Sequence, residues 1–338
     1  DLEDIGDNRH FSFFEMMGNW SLGDYFKEDA IRWSYEFLTS KEEGLGLDAK
    51  NLYITVFEGD ENAQKDLETF DIWKKHGIPE NRIYFLGADD NFWSPGDNGP
   101  CGPCSEMFYD VNGTVGDLSR EDFIDAVKKE EVIEIWNDVF MEYEKKDGKV
   151  VGKLIQKNVD TGAGLERMTA VMQGKKTAYD TDIFLPIINK IKEISGLNYN
   201  EISVRVIADH FRTVLFMCAD GVMPANKGAG YIMRRLIRRA WTHAKIKLDK
   251  VVVIEDFLGL FDIFVSFYGD IYPELLVVQK NHYEIIRNEL NKFDQTLIQG
   301  IKEFEKGVDP FILATTYGFP IELTLELAKE KGIEINLE

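Results

Sequence analysis

The amino-acid sequence predicts an α+β domain with a largely antiparallel sheet over residues 1–195, followed by an all-helical domain over residues 196–338. Two observations support this prediction. Up to about Ser195, apolar runs of strand length are mixed with helical segments. From Glu201 onward, nearly every periodic segment repeats its apolar residues at helical spacing.

Three apolar runs predict strands, because each is short and rich in β-branched and aromatic residues. They occupy residues 53–57, 82–86 and 133–141. Residues 28–38 instead space their apolar side chains by three and four, which predicts a helix. Strands and helices mixed in this way are typical of an α+β domain.

The helical half begins after a polar joint predicted at residues 196–201. A helix is expected over residues 204–219, and Gly221 should end it. A second, longer helix is indicated by apolar residues at three- and four-residue spacing. These residues are Leu290, Phe293, Leu297, Ile301 and Phe304. The second domain is therefore expected to be a helical bundle.

Composition fits a globular protein of two domains: the chain has 338 residues, of which 44% are hydrophobic and 29% charged. The sequence has neither a secretory signal nor an apolar run long enough to span a membrane, so a cytoplasmic location without membrane association is expected. The pair Cys101 and Cys104 lacks the second half of a zinc site. A tight turn, and no metal site, is expected there.

The charge distribution points to one local anionic partner. A net charge of -21 argues against non-specific binding of polyanions by the whole surface, yet the sign reverses between Arg234 and Lys250. Four arginines form one helical stripe: Arg234, Arg235, Arg238 and Arg239. The opposite face would turn Ile232, Leu236, Ile237 and Ala240 toward the core. Few acids stand nearby in sequence, which favours a phosphate backbone over a solvated face with local carboxylate partners, although both readings stay open.

Residues 158–167, Asn-Val-Asp-Thr-Gly-Ala-Gly-Leu-Glu-Arg, predict a strand that enters a glycine-rich turn and leaves as a helix. Glycines allow a ligand close to the backbone, and a helix N-terminus favours anions. Arg167 could contact phosphate oxygens or an aromatic base, and Asp160 could hold an ammonium group. The spacing fits neither a P-loop nor a dinucleotide fingerprint.

This stretch resembles motif 3 of the class II aminoacyl-tRNA synthetases in its alanyl form. The resemblance extends along the chain. Residues 13–27 resemble the second strand of motif 2 and the segment after that strand, and residues 90–106 and 134–140 resemble alanyl-type segments between the motifs. Further matches to the tRNA-recognition part of the alanyl-tRNA synthetase family lie at residues 206–212, 220–226, 230–235 and 316–320.

The resemblance implies a class II antiparallel-sheet catalytic domain that activates alanine with ATP and Mg²⁺. Its implied catalytic residues are Arg167, Asp160 and Glu15. The implied ATP-binding residues are Phe13, with Phe14 as an alternative, and Glu15, Met16, Gly164 and Arg167. The implied alanine-binding residues are Trp93, Asn137, Val139, Asp160 and Gly162. Glu134 is the one candidate ligand for magnesium.

For the helical domain, the resemblance implies recognition of the tRNA(Ala) acceptor stem by Asn226 and the arginine stripe. Asn226 matches an asparagine that reads the G·U wobble pair. Two positions depart from the family pattern, since Thr315 replaces a partner aspartate and Ala229 replaces an arginine. The mode in which the wobble pair is read is therefore open.

By the same resemblance, motif 1, the first strand of motif 2, and the editing and C-terminal domains of the family are expected to be missing from this sequence. Arg9 does not match the α-phosphate arginine of that strand. The function expected is alanine–tRNA ligation. Two alternatives stay open: a tRNA-binding half of a split synthetase, with a complementary N-terminal polypeptide carrying motif 1, and a synthetase-like amino-acid ligase that does not use tRNA.

Overall fold

The computed structural model describes residues 2–8, 10–196, 201–246, 248 and 252–335. The chain divides into two compact units. The sheet unit is Phe14–Lys176, and the helical unit combines Asp1–Phe13 with Thr177–Glu338. Residues 197–200 of the joint predicted at 196–201, and also Arg9, Lys247 and Lys250, lie outside the described residues.

The sheet unit contains eight strands and five helices. The strands are β1 (Met16–Met17), β2 (Trp20–Leu22), β3 (Leu52–Phe57), β4 (Ile83–Leu86), β5 (Phe92–Trp93), β6 (Gly99–Tyr109), β7 (Ile133–Lys146) and β8 (Lys149–Gly164). The helices are α1 (Lys27–Thr39), α2 (Leu67–Lys75), α3 (Ala88–Asn91), α4 (Arg120–Lys128) and α5 (Leu165–Met172). The strand order is β1-β8-β7-β6-β3-β4, with β2 beside β8 and β5 beside β6. Pairing is antiparallel except between β3 and β4.

The longest feature of the sheet is the β7–β8 hairpin. Its turn consists of Asp147 and Gly148, which both have positive φ, at 48° and 78°. An Asp-Gly pair with this geometry matches the right-handed twist of the flanking strands, so the residues themselves favour the hairpin. The predicted run 133–141 is therefore only the first part of a strand that continues to Lys146.

Side-chain alternation gives the sheet one core face. Trp136, Phe140 and Val159 are buried there with residues of α1 and α2, such as Ile31 and Trp73. A smaller apolar cluster lies against α4. The other face of β6, β7 and β8 carries the residues predicted to bind substrate.

The helical unit contains eight helices within the described ranges. They are α6 (Leu185–Ser195), α7 (Glu201–Ala219), α8 (Gly228–Ile246), α9 (Ile254–Leu258), α10 (Leu260–Tyr268), α11 (Glu274–Glu305), α12 (Pro310–Tyr317) and α13 (Ile321–Glu330). Leu290, Phe293 and Leu297 of α11 are buried in one core with residues of α7, α8 and α10. The α+β fold class and the helical second part are thus confirmed.

The N-terminal segment is bonded to α7 of the helical unit. The Ser12 backbone N–H and hydroxyl both donate to the Asp209 carboxylate, the first over 2.9 Å. The guanidinium of Arg212 donates to the Phe13 carbonyl oxygen and, over 3.1 Å, to the Tyr268 hydroxyl. These bonds place residues up to Phe13 with helices that follow almost two hundred positions later.

Three local predictions were wrong. Cys101 and Cys104 lie buried in β6, not in a tight turn, and their strand accommodates Gly102 and its neighbour by a register shift. Gly162 and Gly164 belong to the extended end of β8, not to a turn, because pairing with β7 and β1 continues through them.

The third error concerns the apolar face of α8. Leu236, Ile237 and Ala240 are buried as predicted, but Ile232 is 40% exposed and Met233 is fully buried in its place. The domain boundary also differs: packing changes units between Lys176 and Thr177, so α6, expected with the catalytic half, packs with the helices.

Candidate functional site

Strand register brings four of the predicted alanine-binding residues together on the sheet face opposite the core. Asn137 of β7 is paired with Gly162 of β8, and Val139 with Asp160. Residues two apart on a strand, and residues paired across strands, point to the same side. The fifth predicted residue, Trp93, lies in β5, which pairs with β6 at Gly102.

The same row continues into β6 with a carboxyl group that the sequence analysis did not select. Glu106 is paired with Asn137, and the Asn137 Nδ2 donates to Glu106 Oε1 over 3.1 Å. Burial, reinforced by the carboxylates of Glu134 and Asp90, raises the pKa of Glu106 to about 9. Burial and the neighbouring carboxylates therefore favour the neutral form of the Glu106 carboxyl group.

Asn137 carries a further unmet polar group. Its Oδ1 is buried and has no hydrogen-bond partner within the described part of the chain. A buried acceptor without a donor costs about 1–3 kcal/mol, so such a group calls for an explanation, of which a bound ligand or water is one. The amide oxygen can thus accept a hydrogen bond from a bound ammonium group.

Arg167, in the first turn of α5, faces Glu134 of β7. Its NH1 donates to the Glu134 carboxylate over 2.9 Å and to the Glu134 carbonyl oxygen over 3.0 Å. Both side chains are about one-third exposed. The Arg167 guanidinium therefore has a definite position at the rim of the sheet face, and Glu134 acts as its counter-ion.

Glu15 and Met16 are held beside the end of β8. The Glu15 N–H donates to both carboxylate oxygens of Glu166, over 3.1 and 3.2 Å, and the Leu165 N–H donates to the Glu15 carbonyl oxygen. Met16 is paired with Gly164. Glu166, 1% exposed, was missed by the sequence analysis. Its only signal was an acidic residue in a first helical turn, which normally indicates a solvated side chain.

Phe13 belongs to the helical unit, whereas the other predicted ATP-binding residues belong to the sheet unit. Its ring stacks on Phe216 at 4.3 Å between centroids. The Arg212 guanidinium lies 5.2 Å from the same ring centroid. Phe14, the alternative, belongs to the sheet unit and is 50% exposed.

In the helical unit, Asn226 and the whole arginine stripe line one cavity of about 290 Å³. Besides the five predicted residues, the cavity is bordered by Tyr231, Pro320, Glu322, Leu323 and Glu326. Asn226 lies in the loop between α7 and α8, and the arginines lie on α8. The structure therefore brings together all five residues predicted to bind tRNA.

The expectation that acids are scarce near the stripe was wrong. Glu289 of α11 accepts hydrogen bonds from the Nε of Arg234 and of Arg238, over 3.1 and 2.7 Å. Glu326 of α13 pairs with the Nε of Arg239 over 3.2 Å. These acids are more than 50 positions away along the chain, so no local count could include them.

Arg239 differs from the other stripe residues because it is only 7% exposed and belongs to a buried polar chain. Its NH1 lies 3.1 Å from His210 Nε2, and His210 Nδ1 lies 2.8 Å from Asp209. Burial, opposed in part by Asp209, lowers the pKa of His210. The neutral ring therefore accepts from Arg239 at Nε2 and donates from Nδ1 to Asp209, since a guanidinium can only donate.

Glu326 links the buried polar chain of Arg239 to His243. His243 Nε2 lies 2.8 Å from Glu326, and His243 Nδ1 lies 3.0 Å from the Ser203 hydroxyl. Burial alone would raise the pKa of Glu326, but the hydrogen bonds and charges of His243 and Arg239 outweigh it and lower the pKa to about 2. Glu326 is thus ionised throughout the physiological range.

The two departures from the family pattern lie in helices. Thr315 is in α12, and its hydroxyl donates to the Phe311 carbonyl oxygen over 2.7 Å. Ala229 is in the first turn of α8. Neither residue borders the cavity that Asn226 lines.

Across the residues that the structure describes, no group of three or more His, Cys, Asp or Glu side chains is arranged to hold a metal ion. In the same residues, no helix combines the length and apolar character needed to cross a membrane.

The sheet architecture and the family comparison define the same class of protein. The antiparallel sheet leads from β8 directly into the arginine-bearing helix α5, in the stretch that resembles motif 3. The family described as "tRNA synthetases class II (A)" matches residues 1–338, and the chain belongs to this family.

The curated relatives are more specific than the family. An alanine–tRNA ligase of Thermotoga sp. (strain RQ2) is 44% identical over 356 residues, which cover 100% of this chain and 40% of the relative. One of Borreliella afzelii is 43% identical, with 99% and 59% covered. "Alanine–tRNA ligase, cytoplasmic" of Dictyostelium discoideum is 40% identical, with 100% and 38% covered. The resemblance to the alanyl-tRNA synthetase family is thus confirmed, and the chain spans 38% to 59% of the length of these relatives.

Proposed function

We propose that this chain activates alanine with ATP and transfers it to the 3′ end of tRNA(Ala). The observation that carries the proposal is the substrate-facing row of β7 and β8, in which Asn137, Val139, Asp160 and Gly162 share one sheet face. The relatives named alanine–tRNA ligase support the choice of amino acid. The predicted cytoplasmic location is proposed alongside, and it is supported by the name of the Dictyostelium relative.

The row has the chemistry that a small amino acid requires. The Asp160 carboxylate would bind the ammonium group, and the free Oδ1 of Asn137 would accept a second hydrogen bond from it. Val139 supplies an apolar surface, and Gly162 leaves room for a methyl group because it has no side chain. The raised pKa of Glu106 favours its neutral form, which would not compete with Asp160 for the ammonium group.

Arg167 would bind the phosphates of ATP, with Glu15, Met16 and Gly164 beside the nucleotide. A guanidinium at a helix N-terminus combines fixed charge with backbone N–H groups, which suits an anionic transition state. Bound Mg²⁺ would neutralise phosphate charge during displacement of pyrophosphate. The candidate oxygen ligand is the Glu134 carboxylate, which pairs with Arg167 over 2.9 Å, and a single carboxylate would fit an ion held chiefly by the phosphates.

The arginine-lined cavity of the helical unit would receive the acceptor stem. Arg234 and Arg238 share the single carboxylate of Glu289, so positive charge remains beside Asn226 for a phosphate backbone. Arg239 is buried and paired, and we assign it to holding the cavity wall instead of contacting RNA.

The first prediction tests the amino-acid site through Asp160→Asn. Losing a charge-assisted hydrogen bond of about 1.5–3 kcal/mol should raise the KM for alanine roughly 10- to 100-fold in ATP–pyrophosphate exchange, with a smaller change in the KM for ATP. Glu121→Gln, an exposed position of α4, removes one negative charge from the same unit and is the control.

Unchanged alanine dependence in Asp160→Asn would remove this residue from the site. Exchange that is absent from the wild-type protein, together with intact tRNA binding, would instead favour a tRNA-binding module. Alanine-dependent exchange without any tRNA binding would favour a ligase that does not use tRNA.

A further inference from the structure

The orientation of the Asn226 side chain bears on how the helical unit would read tRNA, so the inference rests on the proposed function. Asn226 belongs to the loop that connects α7 to α8. This loop is held against the start of α8 by a hydrogen bond from the Ala225 N–H to the Gly230 carbonyl oxygen, 3.1 Å long. A Cβ at Gly230 would lie 2.3 Å from the Met223 carbonyl oxygen, so the close approach of loop and helix depends on glycine.

Arg234 fixes the rotation of the Asn226 side-chain amide. The Arg234 NH1 donates to Asn226 Oδ1. A guanidinium has five N–H donors and no acceptor, so only the amide oxygen can face it. The shape of an amide does not distinguish its oxygen from its nitrogen, but a partner that can only donate does. The Nδ2 group of Asn226 must then point away from Arg234.

Arg234 is itself bonded to a residue of α11. Its Nε donates to Glu289 Oε1, and the same oxygen lies 2.6 Å from the Arg238 NH2. The Arg238 guanidinium also lies 4.9 Å from the centroid of the Phe293 ring. Since the Glu289 side chain is only 12% exposed, its carboxylate is a well-defined anchor for both arginines.

Asn226 presents a hydrogen-bond donor to whatever enters the cavity. Its side chain is exposed, and within the described ranges its amide nitrogen bonds to no other protein group. The ligand atom opposite must therefore be an acceptor. In the minor groove of an RNA helix, the available acceptors are pyrimidine O2, purine N3 and the ribose 2′-hydroxyl.

We propose that Arg234 is a positioning residue for wobble-pair recognition: anchored by Glu289, it commits Asn226 to donate to a minor-groove acceptor of the acceptor stem. Uracil and cytosine both carry O2, so a donor distinguishes G·U from G·C only through its position relative to the displaced pyrimidine of the wobble pair. Arg234 therefore acts on specificity by fixing the position of the Asn226 donor, whereas a phosphate contact would change the affinity for every stem. The adjacent Arg235 borders the same cavity.

The second prediction compares Arg234→Gln with Arg235→Gln, which remove the same charge from neighbouring positions. A glutamine side chain at 234 can either donate or accept a hydrogen bond. The Asn226 amide can then rotate by 180°, and its Nδ2 group no longer has a fixed direction. The ratio of kcat/KM for aminoacylation of a G·U stem to that of a G·C stem should fall about tenfold in Arg234→Gln. Arg235→Gln should preserve the ratio and weaken both stems equally, with the salt slope of binding reduced by about one unit.

A double variant supplies the decisive result. Asn226→Ala should abolish the discrimination, and adding Arg234→Gln should lower it no further, because both changes remove one interaction. A preserved ratio in Arg234→Gln, or additive losses in the double variant, would overturn the proposal. Circular dichroism and melting temperature establish that each variant is folded.

Failure of the proposed function is recognised separately. Alanine-dependent pyrophosphate exchange without tRNA tests activation alone and does not involve Arg234. If the wild-type protein activates alanine but does not distinguish the two stems, the positioning role is overturned while activation stands. If neither activity is present, the proposed function itself fails.

Discussion

At the scale of single residues, burial assigns different tasks to arginines of one stripe. Arg234 and Arg238 are 24% and 21% exposed and share one carboxylate. Arg239 is almost fully buried, between Glu326 and His210. Removing one member of a buried pair leaves an uncompensated charge, which is strongly destabilising. Arg239 is therefore tied to stability, whereas Arg234 and Arg238 keep partly exposed guanidinium groups at the cavity.

The third prediction concerns acid stability and Glu326. The pKa of this carboxyl is lowered from 4.5 to about 2 in the folded protein. A carboxyl group whose pKa is lower in the folded than in the unfolded protein stabilises the folded state. For Glu326 this contribution is roughly 3 kcal/mol at any pH above the unfolded pKa, and it is lost as pH falls from about 4.5 to about 2. Glu326→Gln should thus be clearly less stable than wild type at pH 7.

Urea unfolding between pH 2 and pH 7 measures this difference. The difference in the free energy of unfolding between wild type and Glu326→Gln should become smaller as pH falls from about 4.5 to about 2. The control Glu121→Gln should follow the wild-type curve. A gap of constant size at every pH would show that the variant acts through packing and not through ionisation.

At the scale of elements, β8 pairs with β1 and β7, and the Met16 side chain of β1 lies close to Gly162 of β8. A Cβ placed on Gly162 would lie 2.8 Å from the Met16 Sδ, on the face that also carries Asp160. Met16 is 52% exposed, so its flexible side chain has space to move away. A side chain at position 162 should therefore fill space on the sheet face that carries Asp160 while changing the stability of the fold little.

The fourth prediction is that Gly162→Ala raises the KM for alanine about tenfold or more, because one methyl group in a small pocket has an effect of this size. The free energy of unfolding should change by less than about 1 kcal/mol. Gly152→Ala in the same strand is the matched control, since nothing lies within 4 Å of its added Cβ. Equal effects of the two variants on the KM for alanine would contradict a role of Gly162 in the pocket.

Elements that depend on local sequence could be predicted, and those set by distant partners could not. The strands at 53–57 and 82–86 were recovered because their own residues favour a buried strand. Ile232 was misassigned because, near the start of α8, the buried face is chosen by packing partners, which placed Met233 inward. Glu289 and Glu326 gave no local signal, since each meets its arginine only after the helices pack.

The candidate site was predictable to the extent that family motifs mark it. Asn137 and Asp160 were identified from such motifs, and the structure places them on one face. Glu106 was not, because its raised pKa comes from burial and from Glu134, which the fold brings near. The roles of all these residues stay predictions that the proposed variants test.

At the scale of the whole molecule, each unit has its own apolar core. One cluster contains Leu290 and lies within the helical unit, and another contains Ile54 and lies within the sheet unit. Proteins with more than one core need not unfold in a single transition. The predicted boundary at residue 195 missed the observed division because α6 is joined to the helices by packing, which sequence order does not reveal.

The fifth prediction is that core substitutions act within one unit. Leu290→Ala and Ile54→Ala each empty a fully buried position and should cost about 2–5 kcal/mol. In hydrogen-exchange mass spectrometry, Leu290→Ala should speed exchange in residues 201–335 and Ile54→Ala in residues 14–176. Equal acceleration across both ranges by either variant would indicate one cooperative unit.

The bonds between Ser12, Phe13 and α7 bear on how such a protein can be recombined. A crossover at residue 177 would deliver α6–α13 without the Ser12 hydroxyl and the Phe13 carbonyl oxygen. Asp209 and Arg212 would then remain buried with His210 and Tyr268 as partners, but without the bonds to Ser12 and Phe13. Moving the helical unit intact into another protein would therefore require two separate gene segments, those that encode residues 1–13 and 177–338, to be transferred together.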